Sequence, residues 1–131
     1  MVDLSEKDLT DEQYWRMLAS RGVGRFLVLA ALHQRPRHGY ELARAVTEAG
    51  AGCCEPTDAM IYPAIRELTV GGYIVCRIEA QGQRQRKVCE LTDRGRRAYR
   101  AAAKVWSTVL PALREAVEAG LEAPNSVGAN L

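Results

Sequence analysis

Tyr73-Ile74-Val75-Cys76-Arg77-Ile78-Glu79 and Arg86-Lys87-Val88-Cys89-Glu90-Leu91 decide the architecture of this chain. Both runs are rich in β-branched and apolar residues and read as strands. Between them Ala80-Gln81-Gly82-Gln83-Arg84-Gln85 is polar and carries a glycine, as a hairpin tip does. A symmetric hairpin centred on Gly82-Gln83 sets Cys76 opposite Cys89. On both sides of this hairpin the pattern turns helical. Upstream, Ile61, Ala64, Ile65 and Leu68 recur at i, i+3, i+4 and i+7, with Thr57 as the N-cap and Gly71-Gly72 as the stop. Pro63 falls inside this helix, where proline costs about 3 kcal/mol. Either the helix kinks there, or its regular part begins at Pro63. Downstream, Thr92 caps a long helix from Asp93 toward Gly120, which Pro111 kinks or splits.

Farther upstream, Thr10-Asp11-Glu12-Gln13 has the form of a capping box, with Thr10 as N-cap. It opens a short amphipathic helix through Tyr14, Trp15, Met17 and Leu18, interrupted at Arg21-Gly22-Val23-Gly24. The helix from about Val23 to His33 is apolar nearly all round and belongs in a core or an interface. A turn over residues 34–39 leads to a helix from Tyr40 to Glu48, with Leu42, Ala43 and Val46 on one face. Ala49-Gly50-Ala51-Gly52 ends it. The sum is a mostly α chain with a small β-hairpin, arranged as a winged helix-turn-helix head and a C-terminal dimerisation helix. The expected organisation is an N-terminal extension with a short helix over 1–22, the winged-helix head over 23–92, the dimerisation helix over 93–122 and a flexible tail over 123–131.

The 131 residues are 47% apolar and 26% charged, a globular composition for one domain. No apolar run is long enough to span a membrane, and the acidic start lacks the apolar core of a secretion signal. The expectation is a cytoplasmic protein whose four cysteines are free thiols. Their spacing fits no zinc motif, and only two histidines accompany them, so no metal or other cofactor is expected. Nor is there a Ser/His/Asp set or a phosphate-cradling glycine loop, which argues against an enzyme. The overall charge is a bland +2, yet residues 81–104 carry eight bases against two acids. A basic block in a near-neutral chain points to a polyanion contact, double-stranded DNA above all; the plainer alternative is a solvated helix face.

In a winged-helix head one helix reads base edges in the major groove while the hairpin lies along the phosphates. With Ile61, Ala64, Ile65 and Leu68 buried, the opposite stripe of the third helix is Ala59, Tyr62, Pro63 and Arg66, a face with one charge. Arg84, Arg86 and Lys87 cluster at the hairpin tip. Trp106, Leu110, Leu113, Val117 and Leu121 form an apolar stripe along the last helix that has little core left to cover, so a second copy of the chain is its expected partner.

At these residues the chain resembles the PadR-like transcriptional regulators. His38-Gly39-Tyr40-Glu41-Leu42 is similar to the family's HGYEL opening of the second helix, and Ile61 to Leu68 to its VYPxLxxL recognition helix. Gly72-Tyr73-Ile74 resembles the entry to the wing, and Arg86-Lys87 with Leu91-Thr92-Asp93-Arg94-Gly95 its RKxYxLTxxG exit. Trp106 falls where many members carry a tryptophan in the dimerisation helix. The similarity spans about residues 23–120. It implies a homodimer on an inverted-repeat operator, usually as a repressor, released in some members by a planar aromatic compound between the subunits. It further implies that Tyr40, Arg86 and Lys87 meet phosphate and that the segment from Thr57 to Arg66 enters the groove. Two departures stand out: the helix over 10–20 precedes the family's usual first helix, and Val88 and Cys89 replace aromatic wing residues.

For regulation the residues leave alternatives open. Trp106, with Phe26 or Trp15 as further walls, suits a small aromatic effector or simply a packed interface. The adjacent Cys53 and Cys54, or the facing Cys76 and Cys89, suit a thiol-based metal or redox sensor, or merely small buried side chains. A non-DNA interaction module on a winged-helix fold is a further alternative.

Overall fold

The computed structural model describes residues 7–51 and 57–122. In chain order the elements are α1 (Glu12–Gln34), β1 (Arg37–His38), α2 (Gly39–Gly50), α3 (Asp58–Val70), β2 (Ile74–Gln81), β3 (Arg84–Leu91) and α4 (Asp93–Glu122). The three strands form one antiparallel sheet in the order β1-β3-β2. This is the winged-helix order expected from the sequence. Val28 and Leu32 of α1, Leu42 and Val46 of α2, Ile61 and Leu68 of α3, and Ile74 and Leu91 of the sheet make one shared core. Contacts divide the chain into a compact unit ending at Tyr99 and a second beginning at Arg100, within α4. None of the described helices is long and apolar enough to cross a membrane.

The expected break at Arg21-Gly22-Val23-Gly24 is absent: α1 runs unbroken through it. Each helical glycine costs only about 1 kcal/mol relative to alanine, less than the ladder bonds and burial that a break would forfeit. Ser20, buried just before the glycines, returns its hydroxyl to the Arg16 carbonyl at 2.9 Å. A Cβ at Gly22 or Gly24 meets nothing within 4 Å. Gly22→Ala is therefore expected to raise stability by about 0.5–1 kcal/mol, read as a higher Tm. A lower Tm would show that the chain is not helical there.

Other local expectations are corrected by hydrogen bonding. The N-cap of α1 is Asp11, whose carboxylate accepts from the Gln13 amide at 2.9 Å, not Thr10. Thr10 instead donates its backbone N–H to Asp8, and its hydroxyl and amide hold that carboxyl below the usual range. The presumed turn over 34–39 contains β1, which pairs Arg37 with Cys89 and His38 with Val88. Thr57 is the N-cap of α3 through its backbone, without a capping bond from its side chain. The helix starts at Asp58 and runs through Pro63. A proline there leaves the Ala59 carbonyl without its helical donor, and both residues are exposed. Pro111 likewise lies inside α4 without ending it.

Gly71-Gly72 closes α3 as the sequence implies. The Gly72 amide donates to Thr69 and the Tyr73 amide to Leu68, at 3.1 and 2.9 Å, which together form a Schellman cap. Gly72 has φ +80°, the left-handed conformation this cap requires of its residue. The hairpin pairs Gln81 with Arg84 across Gly82-Gln83, and Cys76 with Cys89 as the symmetric register demands.

Candidate nucleic-acid interface

The periodicity of α3 separates two faces. Ile61, Ala64 and Leu68 are buried, while Thr57, Ala59, Tyr62, Pro63 and Arg66 are exposed. Tyr62 retains 42% of its surface although it is a large aromatic residue. Arg66 has no ion-pair partner among the described residues; the neighbouring Glu67 is taken by Arg25 of α1, whose Nε lies 2.9 Å from its carboxylate. That cross-helix pair, which no local spacing signals, removes the competing bridge that would have tied Arg66 down. A free guanidinium one turn from Tyr62 has the donors for a bidentate contact to guanine.

The start of α2 is built around His38. Its Nδ1 is the capping acceptor for the Glu41 amide, 3.4 Å away, and its Nε2 lies 2.6 Å from the Glu41 carboxylate. Arg35 donates to the other oxygen of Glu41 at 2.8 Å. The Arg35 hydrogen bond, opposed by partial burial, holds the Glu41 carboxyl below the usual range. Leu42, next in the HGYEL run, is fully buried, so the motif combines a cap, a brace and a core anchor. Tyr40 alone is left outward, 69% exposed.

The sheet brings that tyrosine to the wing. Tyr40, Arg84, Arg86 and Lys87 line a common recess of about 360 Å³ with His38 and Gly39. Arg86 is partly buried, its Nη1 3.3 Å from the His38 ring, which ties the wing to α2. Arg84 and Lys87 are exposed. The recess thus offers three cations, a phenolic hydroxyl and a glycine backbone at a helix N-terminus, a donor set suited to phosphate. The pairing of β1 with β3 that builds it rests on two residues with no strand pattern of their own.

The basic start of α4 is compensated locally. Asp93 pairs with Arg96, which holds the Asp93 carboxyl below its usual range, and Arg96 also donates to the Leu91 carbonyl at 3.3 Å. Arg94 lies over the Tyr73 ring, 4.5 Å from its centroid, and donates to the Tyr73 hydroxyl at 3.0 Å. Arg97 and Arg100 remain exposed.

Trp15 and Phe26 lie on one continuous helix, separated along its axis by roughly 16 Å. Trp15 donates its ring N–H to the Leu9 carbonyl at 2.8 Å, whereas Phe26 stacks on Tyr99 with centroids 5.5 Å apart. Trp106 is partly buried in the later part of α4, where Leu110, Leu113, Val117 and Leu121 are exposed. Cys76 and Cys89, facing each other with Cα atoms 4.0 Å apart, are joined as a disulfide, which corrects the expectation of free thiols for this pair. Cys53 and Cys54 lie outside the described residues.

Residues 28–101 match the family model described as the transcriptional regulator PadR-like family. The structure is similar to a PadR family transcriptional regulator from Eggerthella lenta, with 24% identity, 81% of this chain and 88% of that one aligned, and a TM-score of 0.65. It is similar to the protein smu.1704 from Streptococcus mutans, with 22% identity, 75% and 89% coverage and a TM-score of 0.65. At these identities the likeness bears on fold alone. Bacillus subtilis PadR, solved in complex with operator DNA, aligns at 25% identity over 60% of this chain and 45% of its own, with a TM-score of 0.54. No curated protein matches the sequence.

Proposed function

This chain belongs to the PadR-like family of transcriptional regulators, and from that premise we propose that it is a cytoplasmic repressor that binds an inverted-repeat operator in double-stranded DNA as a homodimer. The observation that carries the reading is the recess joining Tyr40 to Arg84, Arg86 and Lys87, set in the same compact unit as an α3 whose outward stripe holds a free arginine. The recess grips phosphate and fixes the register; Tyr62 and Arg66, supported by Thr57, Ala59 and Pro63, read base edges. The α4 stripe from Trp106 to Leu121 joins two copies, which spaces two recognition helices for successive major grooves. Release follows when a small aromatic effector at Trp106, with Phe26 or Trp15 as a second wall of its pocket, favours a dimer with the wrong spacing.

A combined wing and helix experiment tests this. The duplex is one selected from a random library by the protein. Arg86→Ala with Lys87→Ala is expected to weaken binding to every duplex alike, and to reduce the slope of log K against log salt by about 0.9 per lost contact. Arg66→Ala is expected to cost about 1–3 kcal/mol on the selected duplex and far less on random DNA. An unchanged slope removes the wing from the backbone, and an equal loss on both duplexes removes Arg66 from base reading. The facing Cys76–Cys89 pair supports a second reading, in which the operator complex responds to redox state. Repeating the titration with dithiothreitol and then with peroxide separates it: a redox response that disappears in Cys76→Ser favours the thiol switch over the aromatic effector.

A further inference from the structure

A cleft of about 700 Å³ opens between the N-terminal half of α1 and α3. Its α1 wall includes Arg16, Met17, Ser20, Arg21, Gly24 and Arg25, one helical face recurring at three and four residues. The unbroken helix creates this cleft, because only a rod through Gly22 sets residues 13–21 beside α3. Met17 and Met60 face it from the two helices, and a Cβ at Gly24 would meet nothing within 4 Å. The rim is cationic. Arg16 lies 3.9 Å from Glu12 and Arg25 is held by Glu67, whereas Arg21 makes no ion pair among the described residues. On the α3 side the wall includes Ala59 and Pro63, which also belong to the outward stripe.

We propose that this cleft binds a small amphiphilic organic anion, its aromatic body against Met17 and Met60 and its carboxylate or sulfonate on Arg21. The volume falls within the roughly 300–1,000 Å³ of small-molecule sites. Thioethers adapt to flat aromatic rings, and a guanidinium without a competing carboxylate offers a charge-assisted pair to an anion. A phosphodiester strand would use the rim arginines but gain nothing from the methionines or the space over Gly24. Because the occupant covers Ala59 and Pro63, ligand and base edges exclude each other. That consequence rests on the DNA-reading proposal; occupancy of the cleft does not.

The probe is 8-anilinonaphthalene-1-sulfonate, an aromatic sulfonate whose fluorescence rises on leaving water. Titration of the intact chain is expected to show a saturable site, weakened about 10-fold in Arg21→Ala and lost in Gly24→Leu, which fills the open space at that glycine. Val70→Ala, an exposed position outside the cleft, is expected to bind the probe as the wild type does. Melting curves check that Gly24→Leu remains folded; should it not, Met60→Glu replaces it as the blocking variant. No saturable site, or wild-type affinity in the folded blocking variant, overturns the proposal. So does an Arg21→Ala variant that binds the probe normally but binds duplex with a shallower salt slope, since the rim is then a DNA contact. Binding that follows the expected pattern but leaves the selected duplex in place keeps the cleft and instead overturns the reading of Ala59 and Pro63 as DNA-facing.

Discussion

Gly95→Ala is expected to destabilise the head by about 3 kcal/mol, at the upper end of what overpacking usually costs. A Cβ on Gly95 would lie 2.0 Å from the Tyr73 carbonyl oxygen and 3.1 Å from the Leu91 side chain. The carbonyl has little room to retreat. It accepts the Thr92 amide at 3.1 Å, and the Tyr73 amide is itself the last bond of the α3 cap. The Thr92 hydroxyl closes the same junction, donating to the Gly72 carbonyl at 2.6 Å and accepting from the Gly95 amide at 3.0 Å. The LTxxG run is therefore a docking joint: leucine enters the core, threonine ties α4 to the end of α3, and glycine lets the two backbones touch. A Tm lowered by about 10 °C or more is the expected reading. The same substitution at Gly22 has the opposite expected sign, so the pair separates a glycine needed for close approach from one merely tolerated. A Gly95→Ala protein that melts within a degree or two of the wild type contradicts the close approach.

What was legible in the sequence follows from the range of each interaction. The stripe of Ile61, Ala64 and Leu68, the stop at Gly71-Gly72 and the register of Cys76 with Cys89 are set by residues a few positions apart, and periodicity reports them directly. The cap at His38 went unread, because the residues around it have the composition of a turn. Contacts between distant segments left no such mark. Arg25 and Glu67 are separated by 42 residues, and Arg86 and His38 by 48, so neither pair shows as a spacing. β1 is too short to alternate. The continuity of α1 has an energetic reason: two glycines weaken a helix locally, but Val28, Leu29 and Leu32 bind its second half into the core. Propensity is a small term beside that burial.

Leu113→Glu is expected to separate the dimer that the α4 stripe implies. In a single chain Leu110, Leu113, Val117 and Leu121 keep 56, 49, 54 and 83% of their surface. Full burial of such a side chain stabilises by about 1.5–3 kcal/mol. In the proposed dimer a two-fold interface counts each residue twice, so burial of this stripe would supply most of the association energy. Glutamate at 113 removes two such contributions and places two carboxylates in a desolvated seam, where charged residues are depleted for that reason. Weakening by more than about 3 kcal/mol, over 100-fold in the dimer constant, follows. The exposure of Leu113 also means that the monomer should keep its helix, so circular dichroism of the variant is expected to match the wild type. Sedimentation equilibrium measures the association. A folded variant that sediments as an unchanged dimer places the interface elsewhere. If the dimer dissociates, affinity for an inverted-repeat duplex should fall toward that for a single half-site, because two linked heads bind as one unit and two separate heads do not.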